Sequence, residues 1–81
     1  VTVRVLFFAY LRERCGVRET TMELPAGATV SDLWRGLVMR YEGLPAAPPR
    51  FAVNRLYVDK EHTLHDNDEL ALIPPVSGGS Q

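Results

Sequence analysis

The sequence predicts an α+β fold: a two-layer sandwich in which one main helix covers one face of a mixed β-sheet. Three observations carry this. The chain has 81 residues, which leaves room for a single core, since domains typically run to about 100–150 residues. One segment, residues 30–41, repeats its apolar residues at the three-and-four spacing of a helix long enough to cover a sheet. On both sides of it, short segments alternate or cluster apolar residues in the manner of strands. One amphipathic stripe facing several half-apolar strands buries itself best as a helix laid on a sheet.

Residues 2–9 open the chain as a strand, with Val3, Val5 and Phe7 on one face and Thr2, Arg4, Leu6 and Phe8 on the other. The first face is core and the second is mixed. Residues 11–15 suit one helical turn, closed by Gly16, which tolerates positive φ. Residues 17–24, with β-branched Val17, Thr20 and Thr21, turn back to form a hairpin with the first strand and stop at Pro25-Ala26-Gly27.

The helix follows, with Val30, Leu33, Trp34, Leu37, Val38 and Tyr41 on its apolar stripe. Thr29 is its N-cap, and Asp32, three residues on, completes a capping-box variant at the positive end of the helix dipole. Gly43 is expected to end it as a left-handed C′ residue, with Pro45 unable to continue. Residues 44–49, half of them proline, form a loop. Residues 51–53 and 56–58 read as strands joined by a two-residue turn, Asn54-Arg55, in which Asn54 accepts positive φ. Tyr57 alternates away from the core pair Leu56 and Val58. Leu64 is a lone apolar anchor before the turn Asp66-Asn67-Asp68, and residues 69–73 make a last strand, stopped by Pro74-Pro75. Residues 76–81 have almost nothing to bury. The expected organisation is therefore a domain over residues 1–75 and a flexible C-terminal tail over 76–81. Hairpin, helix and further strands, in that order, are the element order of the β-grasp or ubiquitin-like fold.

Composition narrows function. A formal net charge of -1 leaves no cationic excess to displace counterions from a phosphate backbone, so nucleic acid is not an expected partner. No apolar run approaches the ~20 residues of a membrane span, and no charged segment precedes an apolar one as in an export signal, so a cytoplasmic protein is expected. Cys15 is the only cysteine, which excludes an internal disulfide, a four-cysteine zinc site or a cysteine-held cluster within one chain. His62 and His65 stand in a loop with no third ligand nearby; Cys15 has only Arg14 to lower its pKa; Asp66, Asp68 and Glu69 lack the ligand spacing of a calcium loop. Trp34 belongs to the core stripe. No active site, metal or bound cofactor is expected in the chain itself.

The segment that carries information is the C-terminal one, Asp66-Asn67-Asp68-Glu69-Leu70-Ala71-Leu72-Ile73-Pro74-Pro75-Val76-Ser77-Gly78-Gly79. Read physically, it is a strand with a proline stop and an arm ending in two glycines, the thinnest peptide able to thread a narrow channel. Together with Leu6-Phe7-Phe8-Ala9 and Arg12-Glu13 at the start of the chain, it resembles the small subunits of molybdopterin synthase, a family of ubiquitin-like sulfur carriers. The resemblance runs from Thr2 to Gly79. Asn67 stands where the family usually has glycine, a mild departure because asparagine also enters the left-handed region. The family's active form ends at Gly-Gly, whereas this chain continues through Ser80-Gln81. A precursor cut by a processing protease, the leading part of a longer fusion, and two residues foreign to the native chain are the open accounts of that extension.

The resemblance implies a mechanism. An ATP-dependent, E1-like activating enzyme converts the Gly79 carboxylate to an acyl-adenylate, and a sulfur donor displaces AMP to leave a thiocarboxylate. The tail, with Gly78 behind Gly79, inserts this nucleophile into the active site of the synthase large subunit, within a heterotetramer, to supply sulfur to the cyclic pterin precursor. The chain itself is then a reactant, with ATP used by its activating enzyme. Phe8, Tyr57 and Ile73 are expected to form an apolar partner-binding patch, with Arg12 as a rim charge and Pro75 and Val76 in the stem of the tail. Two rivals remain at the level of sequence: a sulfur carrier for thiamine or tRNA thiolation, and a ubiquitin-like modifier or interaction module.

Overall fold

The apolar alternation at the start of the chain becomes one of the inner strands of a five-stranded sheet. A computed structural model describes residues 1–74, with elements in the order β1 (Thr2–Phe7), α1 (Tyr10–Cys15), β2 (Glu19–Glu23), α2 (Val30–Arg40), β3 (Arg50–Val53), β4 (Leu56–Val58) and β5 (Glu69–Ile73). The sheet order is β2-β1-β5-β3-β4. β5 runs parallel to β1 and antiparallel to β3, and both hairpins are antiparallel. This is the mixed sheet of the β-grasp expectation, with β5, the last strand among the described residues, at its centre. Pro75, the last residue of the expected domain, and the expected tail over residues 76–81, with Val76, Gly78 and Gly79, lie outside the described residues.

Alternation decides which face is core. Val3, Val5 and Phe7 of β1, Leu70 and Leu72 of β5, and Phe51 and Val53 of β3 are buried in one cluster with Val30, Leu33, Trp34 and Leu37 of α2. Trp34 meets Phe51 edge-on, with ring centroids 5.8 Å apart, and Phe7 meets Tyr41 likewise at 5.4 Å, a geometry that aligns the positive ring edge with the negative face of its neighbour. Leu64 is buried in the same core.

The N-terminus of α2 leaves none of its first N–H groups without a partner, although a helix end provides none from within. The Val30 and Ser31 amides donate to the carbonyls of His62 and Lys60, at 3.0 and 2.9 Å. Asp32 N–H donates to Thr29 Oγ1 and the Thr29 amide donates back to Asp32 Oδ2, which is the capping box read from the sequence. The segment between β4 and β5 is thereby held to the helix through main-chain atoms, and His62 serves there by its carbonyl.

Four details differ from the sequence reading. β1 stops at Phe7, because Ala9 takes φ 53 and the carbonyls of Phe8 and Ala9 accept the first amides of α1. Val38 is 41% exposed and Leu56 72% exposed. Val38 sits at the margin of the helix stripe, beyond what the sheet covers, and Leu56 lies on edge strand β4, with no strand outside it. Gly43 is not a left-handed cap: Tyr41 caps α2 in an extended conformation, and the glycines at positive φ among the described residues are Gly16 and Gly27. Gly43 is needed for a different reason, since a Cβ there would fall 2.8 Å from the carbonyl carbon of Arg14.

Both turn residues between β3 and β4 are left-handed, Asn54 at φ 51 and Arg55 at φ 73, as a type I′ hairpin requires. Asn54 also ties this turn to β5. Its Nδ2 donates to Asp68 Oδ1 at 2.9 Å and its Oδ1 accepts from the Glu69 amide at 3.1 Å.

Candidate docking surface on the open sheet face

The face of the sheet turned away from α2 follows from the strand register. Leu6 of β1 stands opposite Ala71 of β5, Ala71 opposite Ala52 of β3, and Ala52 opposite Tyr57 of β4. These four side chains form one row across four strands. In the next row, toward the C-terminal end of β5, Ile73 pairs with Arg50 and has Phe8 as its neighbour beyond the end of β1. In the row on the other side, the Arg4 guanidinium forms an ion pair with Glu69.

The sizes of these residues shape the surface. Two alanines at the centre leave a floor without side-chain bulk, and Leu6, Phe8, Tyr57 and Ile73 stand around it. The result is a shallow concavity of about 440 Å³, lined also by Arg55 and Glu69. Phe8 is 41% and Tyr57 60% exposed, while Ile73 is half-buried. An exposed apolar hollow with a polar margin is the form a partner-binding surface takes.

The structure therefore brings together Phe8, Tyr57 and Ile73 of the residues singled out in the sequence. Arg12 is half-buried and lines an adjoining depression with Phe8, Arg18 and Glu19, on the β1–β2 side. Sequence reasoning missed the floor, Ala52 and Ala71, because an alanine carries no signal until the register shows what lies beside it. It also missed Arg50, whose guanidinium lies 4.5 Å from the centroid of the Tyr57 ring, and Arg55, read only as a turn residue. Pro75, Val76, Gly78 and Gly79 are outside the described residues; in the sequence they follow Pro74 and Ile73, the latter lining this hollow.

The remaining candidates stay apart from it. Cys15 is half-buried at the end of α1, and burial pushes its thiol pKa up against a smaller opposing pull from Arg14, the reverse of what a reactive thiol needs. His65 is exposed, with Nδ1 3.9 Å from Asp68 Oδ2. Among the described residues, no three His, Cys, Asp or Glu side chains gather as a metal site, and no helix is long and apolar enough to cross a membrane. A second apolar area on the helix layer joins Val38, Met39 and Ala46 beside Trp34.

Comparison with known proteins agrees with this architecture. A family model described as the ThiS family matches residues 5–79. The molybdopterin synthase sulfur carrier subunit of Chlamydomonas reinhardtii is 44% identical, over 95% of this chain and 98% of its own. Among solved structures, SAMP1 from Haloferax volcanii superposes with a TM-score of 0.87 at 28% identity, covering 98% of this chain and 100% of that one. A chain from the complex of subunits 1 and 2 of the molybdopterin-converting factor of Helicobacter pylori superposes with a TM-score of 0.70 at 26% identity, over 98% and 100% of the two chains. From its strand register to the reach of its matched residues, which extend through Gly79, the chain belongs to the ThiS family.

Proposed function

We propose that this chain is the sulfur-carrying small subunit of a molybdopterin synthase, docking to the large subunit through the open sheet face and delivering sulfur on the carboxyl of Gly79. One observation carries the reading. β5 leaves the centre of the sheet at the rim of the apolar hollow, and Gly79 is the sixth residue after Ile73 in the sequence. Six residues span at most about 20 Å when extended. A partner seated on the hollow therefore has its sulfur-accepting centre within a fixed reach of the terminal glycine. The likeness to named sulfur carrier subunits and to a chain solved with its subunit 2 supports the same partner.

The chemistry follows from what a glycine carboxylate lacks. It is a poor electrophile, so ATP is used by an E1-like activating enzyme to form the acyl-adenylate, releasing pyrophosphate. A sulfur nucleophile then attacks the acyl carbon and AMP leaves, giving the thiocarboxylate. In the large subunit this sulfur attacks an electrophilic carbon of the cyclic pterin precursor and displaces an oxygen substituent from it; water then cleaves the acyl–sulfur bond, leaving the sulfur on the pterin and Gly79 as its carboxylate. In this reading the acids and bases of these steps belong to the partner enzymes. The chain's contribution is orientation, converting a bimolecular encounter into a positioned one. A chain that continues past Gly79 has no free carboxyl there, so Ser80 and Gln81 are removed before activation wherever they are present.

The test is reconstitution with the large subunit. Protein ending at Gly79 and carrying the thiocarboxylate converts the cyclic precursor to molybdopterin, whereas protein ending at Gly78 does not; equal conversion by both would exclude Gly79 as the carrier. The likeness to SAMP1, a small archaeal modifier protein, supports a second reading as a protein modifier. That reading predicts isopeptide conjugates on target lysines in place of a free thiocarboxylate.

A further inference from the structure

Two arginines of the β3–β4 hairpin, Arg50 and Arg55, form no ion pair with a carboxylate among the described residues. Among the described residues, the arginines held in ion pairs with carboxylates are Arg4, with Glu69, and Arg35, with Asp32. Glu69, the acidic group lining the hollow, is thus already occupied. Arg50 and Arg55 are both exposed and have no such partner. Arg50, at the other end of β3 from the turn, lines a neighbouring depression with Asp59 and Lys60, and its guanidinium lies over the Tyr57 ring, which the two depressions share, 4.5 Å from the ring centroid. Arg55 lines the hollow from the turn.

Arg55 is also in the wrong conformation for its residue type. At φ 73 it occupies the second central position of a type I′ turn, where glycine is the residue that fits without steric cost. A bulky residue kept at a left-handed position points to a use for its side chain. That side chain reaches the same hollow that Phe8, Tyr57 and Ile73 enclose.

We infer that the partner seated on the open face presents an apolar side chain to the Ala52–Ala71 floor and one or more carboxylates on the hairpin side, where Arg50 and Arg55 receive them. This rests on the carrier reading and adds the chemistry of the partner's contact surface. Guanidinium groups suit the role, because their planar fork binds a carboxylate through two parallel hydrogen bonds. An acidic partner margin would also steer association at low salt.

The experiment measures association with the molybdopterin synthase large subunit from the same source, at low and high ionic strength. Arg55→Gly removes the charge while giving the turn its preferred residue, so the variant folds. It is expected to weaken binding at low salt by about fivefold, the scale of one exposed ion pair, and to flatten the salt dependence. Arg50→Gln is expected to act in the same direction, while Arg35→Gln, on the helix layer, leaves both quantities unchanged. Unchanged affinity and salt slope in Arg55→Gly and Arg50→Gln, or an equal loss in Arg35→Gln, overturns the inference. Phe8→Ala separates this from failure of the carrier reading: if it binds as well as the parent, the docking face itself is wrong, and if it alone loses binding, the face stands and its acidic partner does not.

Discussion

Gly43 packs directly on the backbone of Arg14, so closely that a methyl group on Gly43 would lie within 2.8 Å of the Arg14 carbonyl carbon. Backbone cannot move aside as the end of a flexible side chain can. Gly43→Ala is therefore expected to cost about 1–3 kcal/mol, the range for overpacking a close contact. Because Arg14 belongs to α1, and α1 begins two residues after Phe8, the displaced turn should also disturb one wall of the docking hollow. Urea unfolding and affinity for the large subunit check the two effects.

Asn54 does two things that alanine cannot. It holds φ 51 in the hairpin turn, and its amide bonds both Asp68 and the Glu69 main chain. Asn54→Ala leaves the buried Asp68 with one acceptor oxygen unpaired and is expected to cost about 2 kcal/mol. Asn54→Gly restores the backbone conformation but not the bonds, and should recover only part of that loss. Thermal unfolding of the three proteins would show the order parent, glycine, alanine.

These two residues mark what a sequence reveals. The Asn54-Arg55 turn, the Thr29–Asp32 capping box and the left-handed Gly16 were legible because each acts on neighbours within a few positions. Gly43 was misread, since a glycine soon after a helix has an obvious local use and its true contact lies far away in the sequence. Strand alternation placed Phe8, Tyr57 and Ile73 outside the core, but only the register across β1, β5, β3 and β4 shows the two alanines between them. Val38 and Leu56 failed for a related reason. Periodicity says which way a side chain faces, and only the assembled layers say whether anything covers it.

Arg55→Gly should raise stability even as it weakens docking. Relief of the left-handed conformation at φ 73 is worth about 1 kcal/mol. A midpoint shift upward in urea, measured on the same protein that binds less tightly, would separate a functional arginine from a structural one.

Acid should weaken the helix cap in a defined direction. Bonds from the Thr29 amide and hydroxyl, aided by Arg35, hold the Asp32 carboxyl below its usual pKa. A carboxylate depressed on folding contributes stability that is complete above the unfolded aspartate pKa and is lost as pH falls through the folded value. The stability difference between the parent and Asp32→Asn should therefore be greatest near neutral pH and shrink below the ordinary aspartate range. An increase on acidification would contradict the cap.

Cys15, although the only thiol, carries no sulfur in this account. Burial raises its pKa, so at neutral pH it should react more slowly with iodoacetamide than a free cysteine. Cys15→Ser should load sulfur as the parent does; loss of loading in a folded Cys15→Ser protein would move the chemistry to the thiol.

The central claim concerns the carboxyl of Gly79. Protein ending at that residue, incubated with its activating enzyme, ATP and a sulfur donor, is examined by intact-mass spectrometry. The account predicts a mass increase equal to the exchange of one oxygen for sulfur, located at Gly79, dependent on ATP, and present in Cys15→Ser. A chain that stays at its carboxylate mass under these conditions, or gains sulfur elsewhere, would contradict it.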